Sequence, residues 1–241
     1  MGVLNLSPDS FTESSRFDFS VLRSGADIVD IGAVSSRPGA DEVSPEQEWS
    51  RLEPVLKAVA GSGLEFSVDT TRAVIARRAY EVLGHFTVND IRAGEDDPEM
   101  LPTVAQLGLG YVAMHSRGNP RTMDGLCDYP DGGVVCELVR YFTGFAARAA
   151  ACGLTDWIID PGLGFAKTPA QCMEVLENLE RLSALGHPVL VGAADKRFTA
   201  GDTENIHRLA LRHGVDILRV HDVAACRRTV EDFLNGRRPS R

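Results

Sequence analysis

The most restrictive feature of this chain is a repeat of short runs rich in Val and Ile, each followed by turn or polar residues and then by a longer stretch with helical spacing. The runs are Gly2–Asn5, Asp27–Ile31, Leu64–Val68, His85–Val88, Gly110–Met114, Asp156–Ile159, Pro188–Val191 and Asp216–Val220. They are apolar through their length rather than alternating, as parallel strands covered on both faces must be. Between and after them, Ser44–Gly61, Thr71–Leu83, Pro98–Leu107, Gly133–Cys152, Pro169–Leu185, Thr203–His213 and Ala224–Leu234 read as amphipathic helices, with a stunted candidate at Ser20–Ser24. Eight strands in 241 residues amount to about 30 residues per βα unit. With no linker, charge block or low-complexity segment, the pattern predicts a single α/β domain over residues 1–241. Such a parallel sheet either closes as a (β/α)8 TIM barrel or stays open and doubly wound, and the unit count favours the barrel.

Composition removes several function classes. An apolar content of 44% against 24% charged residues is enough for a substantial core and excludes a disordered chain. The net charge of −9 and a pI near 5.2 argue against a nucleic-acid partner, so any anionic ligand must be held locally. No stretch reaches the roughly 18 apolar residues of a membrane span, and Met1–Ser7 runs into Pro8 without a basic lead-in. The five cysteines contain no C-x-x-C pair, so neither a disulfide framework nor a zinc ribbon is indicated; buried free thiols and a cytoplasmic location are the expectation. The histidines show no H-E-x-x-H, and neither a P-loop nor a G-x-S-x-G elbow occurs. Trp49 and Trp157 read as packing residues.

In barrels of this kind chemistry gathers at the C-terminal ends of the strands. Here every strand exit is polar or glycine-rich: Asn5, Gly32 through Gly39, Asp69-Thr70, Asn89-Asp90, His115 with Arg117, Asp160 through Lys167, Gly192 through Lys196, and Arg219-Val220-His221-Asp222. Any one of these could be a turn former or helix cap. Together, Asn5, Asp69, Asn89 and Asp160 leave four strands toward one rim, where acids and amides suit a heterocycle with several N–H and carbonyl edges. Lys196, Arg219 and His221 come from the last two strands, where such barrels commonly build a phosphate site. The expected ligand therefore has a polar-edged ring and a phosphate tail.

At these strand ends the sequence resembles the dihydropteroate synthases, pterin-binding enzymes of folate biosynthesis. The stretches that carry the resemblance are Gly2-Val3-Leu4-Asn5-Leu6-Ser7-Pro8-Asp9-Ser10-Phe11, Asp30-Ile31-Gly32 with Ser35-Ser36-Arg37-Pro38-Gly39-Ala40, Ser67-Val68-Asp69-Thr70, Asn89-Asp90-Ile91, Met114-His115, Asp160-Pro161-Gly162-Leu163-Gly164-Phe165-Ala166-Lys167 and Arg219-Val220-His221-Asp222-Val223. The resemblance implies a (β/α)8 barrel that joins 6-hydroxymethyl-7,8-dihydropterin diphosphate to 4-aminobenzoate, assisted by Mg2+, with a homodimer as the family's assembly. It places the pterin against Asp69, Asn89, Ile91, Met114, Asp160, Phe165 and Lys196. It places the aminobenzoate against Ser36, Arg37, Pro38, Phe165 and Lys196, and the diphosphate against Asn5, Arg219 and His221. Asn5 would meet the Mg2+, and Asp69, Asp160, Lys196, Arg219 and His221 would carry the catalysis.

The chain departs from the family pattern in places. Thr12-Glu13-Ser14-Ser15 stands where Ser-Asp-Gly-Gly is usual, Ala33-Val34 where Gly-Glu is usual, and Ala194-Asp195-Lys196 where Ser-Arg-Lys is usual. The connections from Phe11 to Asp27 and from Lys196 to Arg219 are also short. These departures fit, as alternatives, an impaired paralogue that binds pterin or folate without turnover. A methyltetrahydrofolate–corrinoid methyltransferase is a further pterin-binding alternative, but it has no need of Arg219-Val220-His221 or of Ser36-Arg37-Pro38-Gly39. A barrel with an unrelated small phosphorylated substrate is the remaining one.

Overall fold

The computed structural model of the chain describes residues 1–6, 20–34, 43–118, 122–192 and 201–236. Eight strands run through it: β1 (Gly2–Asn5), β2 (Ile28–Gly32), β3 (Glu65–Asp69), β4 (Thr87–Asp90), β5 (Gly110–Met114), β6 (Trp157–Asp160), β7 (Leu190–Gly192) and β8 (Ile217–Arg219). Each run read from the sequence holds one of them, shifted at most by a few residues at its ends. The helices are α1 (Ser20–Arg23), α2 (Pro45–Val59), α3 (Ala73–Leu83), α4 (Met100–Leu107), α5 (Gly133–Cys152), α6 (Pro169–Leu176), α7 (Glu180–Ser183), α8 (Thr203–Arg212) and α9 (Val223–Gly236).

Strands β1 to β6 form a parallel sheet in sequence order, and β7 pairs in parallel with β8. Parallel bridges at Ile159↔Val189 and Gly2↔Val220 join the two pieces on both sides. Backbone bonds from Ile159 N to Pro188 O (2.8 Å), Val3 N to Val220 O (3.0 Å) and Val220 N to Met1 O (3.0 Å) complete the ring. The sheet is thus closed, the (β/α)8 barrel that the unit count favoured.

The single helix expected over Pro169–Leu185 is two, α6 and α7. Asn178 sits at the break, where its side-chain amide donates to Glu174 O at 2.8 Å and its backbone N–H bonds Val175 O in a tighter turn. A short polar side chain that bonds the preceding turn competes with the helical ladder. Helices α2 and α6 start alike: Ser44 with Gln47, and Thr168 with Gln171, form reciprocal capping boxes just before Pro45 and Pro169. The second box sets where the connection after β6 must end. Trp157 is buried between Phe145 and His187, and Trp49 is half-buried beneath the Arg78 guanidinium, so both are packing residues. All five cysteines are free, but only Cys172 and Cys226 are buried; Cys127, Cys136 and Cys152 are half-buried, their helix and loop positions lying nearer the surface. No helix among the described residues is long and apolar enough to cross a membrane.

Most buried apolar residues form one cluster between the outer face of the barrel and the helices. A second, smaller cluster, Met1, Val112 and Leu190 with Ile28, Ile158 and Ile217, is the floor of the lumen. Side chains two residues apart on a strand share a face. One step up from the floor, Ile28 leads to Asp30, Val112 to Met114, Ile158 to Asp160 and Ile217 to Arg219. Polar side chains of β2, β6 and β8 are thereby raised on a dry base, with Met114 of β5 beside them.

Candidate active site

Asp30, on β2, lies at the centre of the polar layer and is fully buried. Its Oδ1 accepts from the Ser67 hydroxyl at 2.5 Å, and its Oδ2 from Asn89 Nδ2 at 3.1 Å and from Arg219 Nε at 2.7 Å. Arg219 Nη2 lies 2.6 Å from the same oxygen and 3.3 Å from Asp69 Oδ2. One guanidinium therefore spans two carboxylates, on β2 and β3. Burial works against a charged guanidinium, but Asp30 and Asp69 outweigh it and raise the Arg219 pKa further above its ordinary value.

Asp69 responds the opposite way. Its burial and the neighbouring Asp30 charge push its pKa from 3.8 up to about 7, with Arg219 opposing the rise. Because the folded protein holds this proton where the unfolded chain releases it, Asp69 withdraws stability as pH rises from about 4 to about 7. Asp69→Asn removes that slope. The melting temperature of the variant relative to the unsubstituted protein is expected to climb across this window, and a constant difference would contradict the assignment.

The residues next to these side chains face outward and do different work. Thr70 donates to the buried Glu48 carboxylate at 2.6 Å, and Arg72 bonds the same carboxylate as well as Val43 O at 2.6 Å. Asp90 accepts from Tyr111 OH at 2.6 Å and from the backbone N–H groups of Arg92 and Gly94. Arg117 bonds Asp128 O and Glu137 and lies over the Tyr129 ring. Strand exits thus alternate between groups that line the lumen and groups that hold the connections.

The connection after β6 is densely bonded. Asp160 Oδ1 accepts from Gly162 N at 2.7 Å, and Asp160 O accepts from His115 N at 3.0 Å. Lys167 Nζ turns back into the loop, 2.9 Å from His115 Nδ1, 3.1 Å from Phe165 O and 3.2 Å from Gly162 O. Burial lowers the Lys167 pKa to about 7. Burial, with the Lys167 charge beside it, also drives His115 down to about 2, so its ring is neutral and Nδ1 serves as an acceptor. Gly162 has φ +64°, and a Cβ there would come within 2.0 Å of His115 O. Gly162→Ala is expected to cost at least about 3 kcal/mol through combined backbone strain and overlap, readable as a large drop in melting temperature; an unchanged transition would refute the close approach.

A family model described as pterin binding enzyme matches residues 1–221. A dihydropteroate synthase from Synechocystis sp. is 38% identical over 250 aligned residues, covering 93% of this chain and 85% of that protein. The chain belongs to the pterin-binding enzyme family. The structure of a Xanthomonas albilineans dihydropteroate synthase with 4-aminobenzoic acid superposes with a TM-score of 0.86 at 34% identity, covering 98% of this chain and 90% of the other. The Anaplasma phagocytophilum dihydropteroate synthase with bound 6-hydroxymethylpterin-monophosphate gives a TM-score of 0.87 at 29% identity, with 97% of each chain covered.

In this pterin-binding enzyme the expected residues are distributed as follows. Asp69, Asn89, Asp160 and Arg219 stand on the lumen side of four strands, and Met114, buried on β5, pairs in register with Asp160. Ile91 and Phe165 are half-buried on the connections after β4 and β6, Ile91 held through its carbonyl by Ser116 Oγ at 2.9 Å. Asn5, at the exposed end of β1, and His221, exposed just past β8, stand at the rim. Ser36, Arg37, Pro38 and Lys196 lie outside the described residues. Arg219 is engaged here by Asp30 and Asp69.

Asp30, Ser67 and Lys167 were not singled out from the sequence. A signal for Asp30 existed: a carboxylate in the middle of the apolar run Ile28-Val29-Asp30-Ile31 needs a buried partner. For Mg2+, the donor chemistry is compatible. No three His, Cys, Asp or Glu side chains converge as a metal cage among the described residues. Mg2+ bound chiefly through substrate phosphates and water needs only one or two protein oxygens, and the exposed Asn5 offers one.

Proposed function

We propose that the protein is a dihydropteroate synthase, a transferase that condenses 6-hydroxymethyl-7,8-dihydropterin diphosphate with 4-aminobenzoate to give 7,8-dihydropteroate and diphosphate. The observation that carries this reading is the lumen layer itself: acids and an amide on β2, β3, β4 and β6 face a guanidinium from β8 above a dry floor. Relatives with the same fold hold 4-aminobenzoic acid and a hydroxymethylpterin phosphate. The whole chain, residues 1–241, is read as one such barrel, and a cytoplasmic homodimer belongs to the same reading.

In the reaction the bond between the pterin methylene carbon and the diphosphate oxygen breaks, and the arylamine nitrogen takes that carbon and gives up a proton. Asp69, Asn89 and Asp160 would grip the N–H and carbonyl edges of the ring, with Ile91, Met114 and Phe165 packed against it. Asp160 beside the ring favours positive charge on it as the leaving group departs. Arg219 and His221 meet the oxygens where negative charge develops, which is where fixed donors lower a barrier most. Asn5 would hold Mg2+ next to the diphosphate, where the ion would neutralise phosphate charge. Ser36, Arg37 and Pro38, with Phe165 and Lys196, are assigned to the aminobenzoate side, where closure excludes water and orients the amine.

The test is diphosphate release on mixing the purified protein with dihydropterin diphosphate, Mg2+ and 4-aminobenzoate. Stoichiometric formation of dihydropteroate is the expected result. Pterin binding without turnover would replace this reading with that of a binding paralogue, and neither would remove both.

A further inference from the structure

The reaction gives no task to Lys167, although this cation is buried beside the pocket, only 6% exposed. Its position is unusual for a lysine because it points back across its own loop instead of out to solvent. In its charged form the amine's three protons match three acceptors at hydrogen-bond distance: His115 Nδ1 at 2.9 Å, Phe165 O at 3.1 Å and Gly162 O at 3.2 Å, with His115 O further off at 3.4 Å. The carbonyls belong to the loop that starts at Asp160 and carries Phe165, and His115 belongs to the neighbouring exit of β5. His115 is itself fixed edge-on to the Tyr141 ring, 4.8 Å between centroids.

Other groups fix other parts of the same loop. Tyr129 OH donates to Ala166 O at 2.7 Å, at a residue with φ +50°, and Gly164 N donates to Cys172 Sγ at 3.2 Å. Phe165 N closes a turn onto Gly162 O at 3.0 Å. Within this arrangement Lys167 Nζ draws the Gly162 and Phe165 carbonyls and the β5 exit to one point. We propose that Lys167 is a positioning residue, whose ammonium group holds the Asp160–Phe165 connection in the shape that presents Asp160 and Phe165 to the substrates. The proposal rests on the pterin-binding reading of the site, because it assigns to Lys167 an effect on ligand affinity and not only on stability.

The test compares the full chain with its Lys167→Met and Lys167→Gln variants. Four quantities are measured: the Kd for 6-hydroxymethylpterin, the KM values of both substrates, the inhibition constant of inorganic diphosphate, and the melting temperature. A released loop should weaken pterin binding in Lys167→Met by about ten-fold or more, with a smaller loss in Lys167→Gln, which retains a donor. Inhibition by diphosphate, which is assigned to Arg219 and His221 on another strand, should stay within about two-fold. Unchanged pterin affinity in a folded variant overturns the proposal, as does a parallel loss of pterin and diphosphate affinity, which marks general destabilisation. If Lys167→Met does not fold, Lys167→Gln is judged by the same criteria. A parent protein that neither binds pterin nor turns over removes the functional reading and this inference together. A competent parent with indifferent variants removes this inference alone.

Discussion

Arg219→Met should be among the most damaging single changes in the protein, lowering kcat/KM by about a thousand-fold or more and stability by about 3 kcal/mol or more. The two losses have separate origins. Removing the guanidinium takes away a donor where charge develops on the departing diphosphate. It also leaves Asp30, with no solvent exposure, holding its charge against Ser67 and Asn89 among the described residues. Pairing Arg219→Met with Asp30→Asn separates them: the double variant should recover most of the melting temperature and little of the turnover. An Arg219→Met protein with ordinary stability and ordinary diphosphate release would refute both roles.

Asp160→Asn should show only the kinetic half of this, a loss of turnover of about a hundred- to a thousand-fold with little change in melting temperature. The reason is geometric. Asp160 Oδ1 accepts a 2.7 Å bond from Gly162 N, and an asparagine side chain can present a carbonyl oxygen to the same donor. What the substitution removes is charge beside the ring. The kinetic loss should therefore fall on kcat more than on the melting curve. A variant with full turnover and normal substrate affinity would refute the electrostatic role of this carboxylate.

The sequence was most legible where a period could be read. Runs such as Gly110–Met114 and the helical stretch Gly133–Cys152 match strand β5 and helix α5 residue for residue, because parallel strands and long amphipathic helices have simple patterns. The break at Asn178 was not legible, since it depends on one amide bonding one carbonyl inside an otherwise helical pattern. At the site, the strand-exit argument found Asp69, Asn89, Asp160 and Arg219; Thr70 and Asp90, next to two of them, are held on the opposite face. Counting by twos along β2 from Ile28 leads to Asp30, which the strand-exit argument passed over. Lys167 is different, for no periodicity predicts that a lysine after a strand folds back onto the carbonyls of its own loop.

The bridged guanidinium also bears on which anions the pocket admits. With Asp30 and Asp69 bonded to it and Asp160 across the lumen, Arg219 is a cation whose charge is already matched. On the proposed reading, a bare phosphate would find part of this positive charge already engaged by Asp30 and Asp69. A diphosphate that brings its own divalent cation, on a ring that satisfies the carboxylates, does not face that barrier. On the same reading, such a guanidinium would favour a diphosphate that arrives with its own divalent cation over a bare phosphate.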